Sequence, residues 1–481
     1  MQRMTPLDAS FLHLESDEVQ ANVAWMSIFE GPAPDHAELL RYVAGKLPFV
    51  PRYRQKLRFL PLALARPVWI DDPHFNLEYH VRRTALPAPG GDRELDRLFA
   101  RVVSQQLDRR RPLWEMWVVE GLSEGRWGVL WKLHHAMVDG VTASEINTVM
   151  LSDKRDAERP EPAPWQPEPG PGALNVVVES LGGLMSPLEQ VQILRLAVKA
   201  PRDLLERGVA TARSALPLGR NLLKGGTSSL NGPIGPHRRF DRTAVSLQDV
   251  KKVRKRHGGS VNDVVLAAVA SGFRELLAAR GELAPETVVS TMVPVSVRAP
   301  GEQGGNRVSA VFARLPVGQD DPVRRLQDIS GQMDNIKRRG DAVAGQALVS
   351  LHGFSPPMLL ALGSRLAARL PQRTINTVTT NVPGPQHPLY LLGRRMLEAA
   401  PYVMLGPQIR IATAIFSYDG RLYFGVTGDY DTASDIDLVC AGIERGIAEL
   451  GGGDRPTQAR PASNGTGVSR GERSGGARSG A

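Results

Sequence analysis

The residues best equipped for chemistry lie in Trp131-Lys132-Leu133-His134-His135-Ala136-Met137-Val138-Asp139-Gly140. An imidazole titrates near neutral pH and can take a proton from an alcohol as that oxygen attacks a carbonyl. Trp127, Val129, Trp131 and Leu133 alternate with their neighbours, which makes the approach a β-strand. Adjacent side chains on a strand point to opposite faces, so His134 and His135 share a cavity only if the strand ends there. Asp139-Gly140 then turns the chain, and Thr142-Ala143-Ser144-Glu145 reads as a capping box that opens a helix. Three readings follow. Both histidines can be satisfied polar groups at a strand end, with Asp139 only making the turn. They can ligate a metal, although no cysteine lies nearby and no His-x-x-x-His spacing supports it. Or one of them is a general base.

The nucleophile options narrow the reaction. Gly-x-Ser-x-Gly is absent, and the single cysteine, Cys440, falls on the apolar stripe of a predicted helix with Ile436, Val439, Ile443, Ile447 and Leu450. Direct attack by a bound acceptor, with histidine as base, needs no protein nucleophile. Group transfer fits better than hydrolysis.

Two folded halves must position these residues. In the first, residues 1–151, Asp35 caps a helix carrying Leu39, Leu40, Val43, Ala44 and Leu47 on one face, and a second helix carries Leu95, Leu98, Phe99, Val102 and Val103. Residues 114–121 and 127–134 read as a hairpin around Gly125. Pro160, Pro162, Pro164, Pro167, Pro169 and Pro171 then exclude a helix or central strand and predict an extended linker at the head of a middle region, residues 152–235. Within it, residues 186–224 read as basic amphipathic helices, opening at Ser186-Pro187-Leu188-Glu189. In the second half, residues 236–451, Ser260 opens an apolar helix, residues 287–293 form an interior strand, and Asp419-Gly420 joins two strands in a hairpin. The Gly-, Ser-, Pro- and Arg-rich residues 452–481 read as a disordered tail.

Composition excludes several classes. With 59 Lys+Arg against 50 Asp+Glu the net charge is +9, which suits an anionic membrane surface or a phosphate-bearing substrate as well as nucleic acid. No basic run is interleaved with aromatics as a base-stacking platform requires, so nucleic acid is not the expected partner. One cysteine precludes an intrachain disulfide and points to a reducing compartment. No stretch approaches the roughly 18 apolar residues of a spanning helix, and acidic residues come too early at the N-terminus for a secretory signal.

His134-His135-Ala136-Met137-Val138-Asp139-Gly140 matches the HHxxxDG signature of CoA-dependent acyltransferases and peptide-synthetase condensation domains. Further segments resemble one branch, the bacterial wax ester synthase/diacylglycerol acyltransferase family. They are Met4-Thr5-Pro6-Leu7-Asp8 with Phe11, Pro112-Leu113-Trp114-Glu115, residues 230–239 (LNGPIGPHRR), Asn262-Asp263, Pro294-Val295-Ser296-Val297-Arg298 and Asn381-Val382-Pro383-Gly384-Pro385. They occur in the family's order across nearly the whole chain.

The resemblance implies an α/β fold of two halves related to chloramphenicol acetyltransferase and to condensation domains, with a tunnel between them. Acyl-CoA would enter from one side, as substrate and not cofactor, and diacylglycerol or a fatty alcohol from the other. It also implies that His135 is the base, that His134 supports the site, and that Asp139 is structural and paired with an arginine, for which Arg298 is the candidate. Asn262 would hydrogen-bond near the reacting centre, while Asn262-Asp263 can equally be helix N-terminal chemistry. Pro112, Leu113 and Trp114 would enter a core strand, and Asn381, Pro383 and Gly384 a rigid turn; both are compatible with shaping the tunnel, as is Gly140 with the loop after the histidines. No metal is expected. Two other readings stand beside this one: a condensation-type enzyme using a carrier-bound acyl group, and a non-catalytic lipid-droplet coat protein. Residues 186–224 read either as a solvated charged face or as a peripheral contact with the inner membrane face or a lipid droplet.

Overall fold

Local chemistry starts and stops the elements. Asp35 accepts from the Ala37 and Glu38 amides at 2.9 and 3.3 Å, capping the expected helix. Ser260 and Asp263 bond reciprocally, the hydroxyl to the Asp263 amide at 3.2 Å and the carboxylate to the Ser260 amide at 2.7 Å, a complete capping box. Asp419 and Gly420 both take positive φ, +44° and +79°, as a tight hairpin turn requires.

The computed structural model describes residues 2–59, 66–137, 149–170, 228–296, 308–339 and 374–452. Asp139, Gly140, the helix expected at 142–145, the basic segment 186–224, Arg298 and the tail from 453 lie outside them. The first half runs β1 (Gln2–Arg3), α1 (Pro6–Leu14), β2 (Asn22–Phe29), α2 (His36–Lys46), β3 (Gln55–Arg58), β4 (Val68–Asp71), α3 (Leu77–His80), β5 (Val81–Ala85), α4 (Asp92–Val103), β6 (Trp114–Glu120) and β7 (Trp127–His134). The second runs β8 (Arg238–Ser246), α5 (Leu247–His257), α6 (Val261–Ala279), β9 (Val289–Ser296), β10 (Val308–Leu315), α7 (Pro322–Arg339), β11 (Thr377–Val382), β12 (Tyr390–Leu391), β13 (Arg394–Tyr402), β14 (Ile411–Tyr418), β15 (Arg421–Asp429) and α8 (Asp437–Gly451).

Among the described residues two six-stranded mixed sheets form, ordered β12-β13-β2-β7-β6-β5 and β10-β9-β11-β14-β15-β8, beside a small sheet β1-β4-β3. The expected hairpins are present: β6 pairs with β7, and β14 with β15, both antiparallel. One feature crosses the halves. Strand β13 leaves the second half and pairs antiparallel with β2, Pro401 opposite Trp25, inside the first sheet. It also packs on the second sheet, so closely that a Cβ on Gly425 would lie 1.8 Å from the Pro401 carbonyl oxygen. Only glycine fits that crossing.

Each sheet has its own core. Trp25, Trp114, Trp127 and Trp131 fill the first, and α6 and α8 bury their apolar faces, Cys440 included, on the second. Burial pushes the Cys440 thiol well up, so it stays protonated and inert. The proline-rich segment is extended, as expected, but it is not loose over residues 152–170. Arg155 pairs with Glu30 at 2.6 Å, Trp165 packs edge-on against Phe75, and the Glu168 amide donates to Asp71 at 3.1 Å.

Candidate active site

Strand β7 is held on both sides: Trp25 faces Trp131 across β2, and Trp114 faces Leu133 across β6. Alternation sends Trp127, Val129, Trp131 and Leu133 into one core and turns Lys132 and His134 to the other face. Lys132 is fully buried opposite Glu115, 3.8 Å from its carboxylate, and burial, partly offset by Glu115, pushes its amine down to about 8.

The strand stops at the histidines. The His135 amide donates to the Ala21 carbonyl at 2.7 Å, and the Met137 amide closes a turn on the His134 carbonyl at 2.9 Å. His134 is fully buried, and its Nδ1 accepts from the Ala136 amide at 3.0 Å. That nitrogen is therefore unprotonated, and in the neutral ring the proton sits on Nε2. Nε2 faces Glu15 Oε2 at 3.5 Å. Glu15 is clamped by Arg109, whose Nε and Nη2 donate to the same oxygen at 3.0 and 2.5 Å. Burial alone would raise this carboxyl; His134 and Arg109 outweigh it and hold it below the usual carboxylate range.

His135 faces the other way. It is half-buried, with Phe11 of α1 stacked on its ring at 3.8 Å and 14°. It stands on the wall of an open cleft of about 150 Å³. Both sheets build this cleft: Asn22–Trp25 of β2, Ala399 and Pro401–Met404 around β13, Thr380 and Val382 of β11, and Ala414–Phe416 of β14. The wall is overwhelmingly apolar.

Among the described residues, Pro112–Trp114, Asn262, Asn381 and Gly384 lie beside this wall or the histidine strand, and Asp263 and Pro383 do not. Pro112, Leu113 and Trp114 are buried at the start of β6, and the Leu113 carbonyl accepts from the His134 amide at 3.0 Å. Trp114 is pinned in turn, its indole donating to the Tyr53 carbonyl at 2.8 Å. Asn381 alternates with Thr380 and Val382 on β11, and its amide donates to Asn262 at 3.0 Å, bracing the cleft wall against the start of α6. Asp263 is occupied by the capping box and by the Ser330 hydroxyl at 3.2 Å. Pro383 is exposed just beyond β11. The Gly384 amide donates to Ser417 at 3.0 Å, and a Cβ there would lie 2.3 Å from the Phe416 ring, so glycine lets that ring take its place in the cleft.

The expectations did not include Glu15, Arg109, Thr380, Tyr402 or Phe416. Glu15 and Arg109 are 94 residues apart, and no spacing rule joins them; the cleft residues are ordinary strand hydrophobics and hydroxyls until the two sheets are brought together.

The two sheets form a two-lobed α/β fold with an apolar cleft between them and an imidazole on its wall. The same fold is found in the first condensation domain of the calcium-dependent antibiotic synthetase, with a TM-score of 0.55 at 15% identity, covering 94% of this chain and 95% of that one. The model of the wax ester synthase/diacylglycerol acyltransferase catalytic domain matches residues 4–265, and that of the family's C-terminal domain residues 304–451. A Mycobacterium tuberculosis protein described as a probable diacylglycerol O-acyltransferase is 36% identical over 454 residues, 94% of this chain and 96% of the relative. A solved wax ester synthase/diacylglycerol acyltransferase from Marinobacter aquaeolei superposes with a TM-score of 0.67 at 26% identity, covering 93% of this chain and 98% of that one. The chain belongs to the wax ester synthase/diacylglycerol acyltransferase family and is an acyltransferase.

Proposed function

We propose that the protein moves a long-chain acyl group from acyl-CoA to the hydroxyl of diacylglycerol, giving triacylglycerol, or of a fatty alcohol, giving a wax ester, with His135 as general base. One observation carries this reading: of the two histidines, His135 lines an apolar cleft shared by both sheets, whereas His134 is enclosed in protein. Val23, Ala24, Val382, Ala399 and Phe416 offer a hydrocarbon chain little but apolar surface. The names of the mycobacterial and Marinobacter relatives support the two acceptor classes.

In this mechanism the imidazole of His135 takes the proton of the acceptor hydroxyl while the alcohol oxygen attacks the thioester carbonyl. The C–S bond of the tetrahedral intermediate then breaks, the ester forms, and the CoA thiolate leaves with the proton His135 had taken. The steps need no cofactor and no covalent acyl-enzyme. Among the described residues no helix is long and apolar enough to cross a membrane. A water-insoluble acceptor and the basic residues 186–224 support peripheral docking from the cytoplasmic side, on the inner membrane face or a lipid droplet.

The test is purified full-length protein with radiolabelled long-chain acyl-CoA, given diacylglycerol or hexadecanol separately, with products resolved by chromatography. Labelled triacylglycerol or wax ester is expected. Label that stays in acyl-CoA with both acceptors, but transfers from an acyl-carrier protein, would overturn the donor assignment.

A further inference from the structure

Helix α1 touches both histidines. Phe11 and Glu15 lie one turn apart, joined by the Glu15 amide donating to the Phe11 carbonyl at 3.1 Å. Phe11 stacks on His135 at 3.8 Å, and Glu15 faces His134 Nε2 at 3.5 Å. Arg109 secures this end of the helix twice, through the Glu15 carboxylate and through the Leu12 carbonyl, to which its Nη2 donates at 3.0 Å. The loop that carries Arg109 continues to Leu113, whose carbonyl holds the His134 backbone. The His134 backbone is therefore held by Leu113 and its ring by the Ala136 amide, while Glu15 Oε2 stands 3.5 Å from Nε2, close enough to bias it electrostatically without a hydrogen bond.

We infer that Glu15, clamped by Arg109, is a positioning residue for the histidine pair. Its carboxylate keeps His134 in the Nε2–H form with Nδ1 free to accept from the Ala136 amide, and so fixes the tight turn that presents His135 to the cleft. The inference rests on the reading of His135 as base, but it assigns a role to a residue outside the HHxxxDG segment. The geometry gives a physical reason for an acid here. The Glu15 side chain is 2% exposed and His134 0%. A buried carboxylate is costly unless paired, and Arg109 supplies the pairing. If the clamp is lost, the His134 ring can rotate or change tautomer, the Ala136 amide loses its acceptor, and His135 shifts with the turn. A displacement of about 1 Å at a reacting group can cost on the order of 100-fold in rate.

The experiment compares Glu15→Ala and Glu15→Gln in the full-length protein. Glutamine can place its carbonyl oxygen where Oε2 stands, retaining both the Arg109 and the His134 contacts, and put its amide where Oε1 has no hydrogen-bond partner. Glu15→Ala is expected to lower kcat on the order of 10–100-fold with KM for acyl-CoA unchanged, and Glu15→Gln to recover most of that loss. Wild-type kcat in folded Glu15→Ala, or equal losses in both variants, would overturn the inference. Histidine-selective ¹⁵N NMR of the wild-type protein reads the same point without a variant. His134 protonated on Nε2 is expected, and the Nδ1–H form would overturn the assignment. The NMR result does not depend on turnover, so a protein that transfers no acyl group refutes the proposed function while the Glu15–His134 contact is still tested.

Discussion

Ala414 offers a direct way to measure what the cleft binds. It lies on β14 with Phe416 two residues on, both lining the cleft, while Ile411 packs into the second sheet's core. Ala414→Leu adds three carbons to the cleft wall at a residue only 2% exposed, so thermal melts must first show that the variant folds as wild type does. If a hydrocarbon chain occupies the cleft, the new side chain displaces about three of its methylenes. At about 0.8 kcal/mol per buried methylene, the loss is about 2.4 kcal/mol, or roughly 60-fold in kcat/KM. The assay is kcat/KM across acyl-CoA chain length at fixed acceptor, then across alcohol chain length at fixed donor. One series should lose its dependence on the last few methylenes, short chains being nearly unaffected, and the series that does so identifies the chain held by this cleft. A uniform loss across both series, or no change in either, would refute the reasoning.

Two further perturbations test how the site is held. His80 is sandwiched between Phe75 and Trp114 and donates from Nδ1 to the Trp114 carbonyl at 2.8 Å; burial, only partly offset by that bond, lowers its pKa from 6.5 to about 4. Below pH 6.5 the unfolded chain binds a proton that the folded one refuses, so stability should fall as pH drops from 6.5 toward 4 and level off beneath. The effect is on the order of 3 kcal/mol at most, and His80→Asn should flatten it in thermal melts taken across that range. Arg242 on β8 bonds Asp96 and Asp92 of α4 at 2.9 Å each and also Glu398 of β13, tying the second sheet's edge to the first half. Arg242→Met leaves the buried Asp96 without its cation and should lower unfolding free energy by about 3–5 kcal/mol in urea titrations; an unchanged midpoint would show that the clamp is inert.

Much of this fold is legible in local sequence. Trp127, Val129, Trp131 and Leu133 announce β7, the Ser260–Asp263 box starts α6, and Asp419-Gly420 closes the β14–β15 hairpin. These signals act over a few residues, where side-chain periodicity and capping decide the outcome. Strand β13 carries no such signal. Its register shifts between Met396 and Glu398, which breaks alternation and leaves Leu397 36% exposed, and Pro401 stands inside it. Its pairing with β2 is set by burial on both faces, between the two sheets, and not by any local preference. The histidine pair was legible for the same local reasons. Their division of labour came only from the family resemblance, because its physical surroundings, Glu15, Phe11 and Arg109, arrive from distant parts of the chain.

The most direct measurement is steady-state acyl transfer by His135→Ala beside wild type, with thermal melts of both. Loss of the base should cut turnover by about 10²–10⁴-fold while the variant still melts cooperatively, since the ring is only half-buried. Turnover by the folded variant equal to wild type would contradict the account.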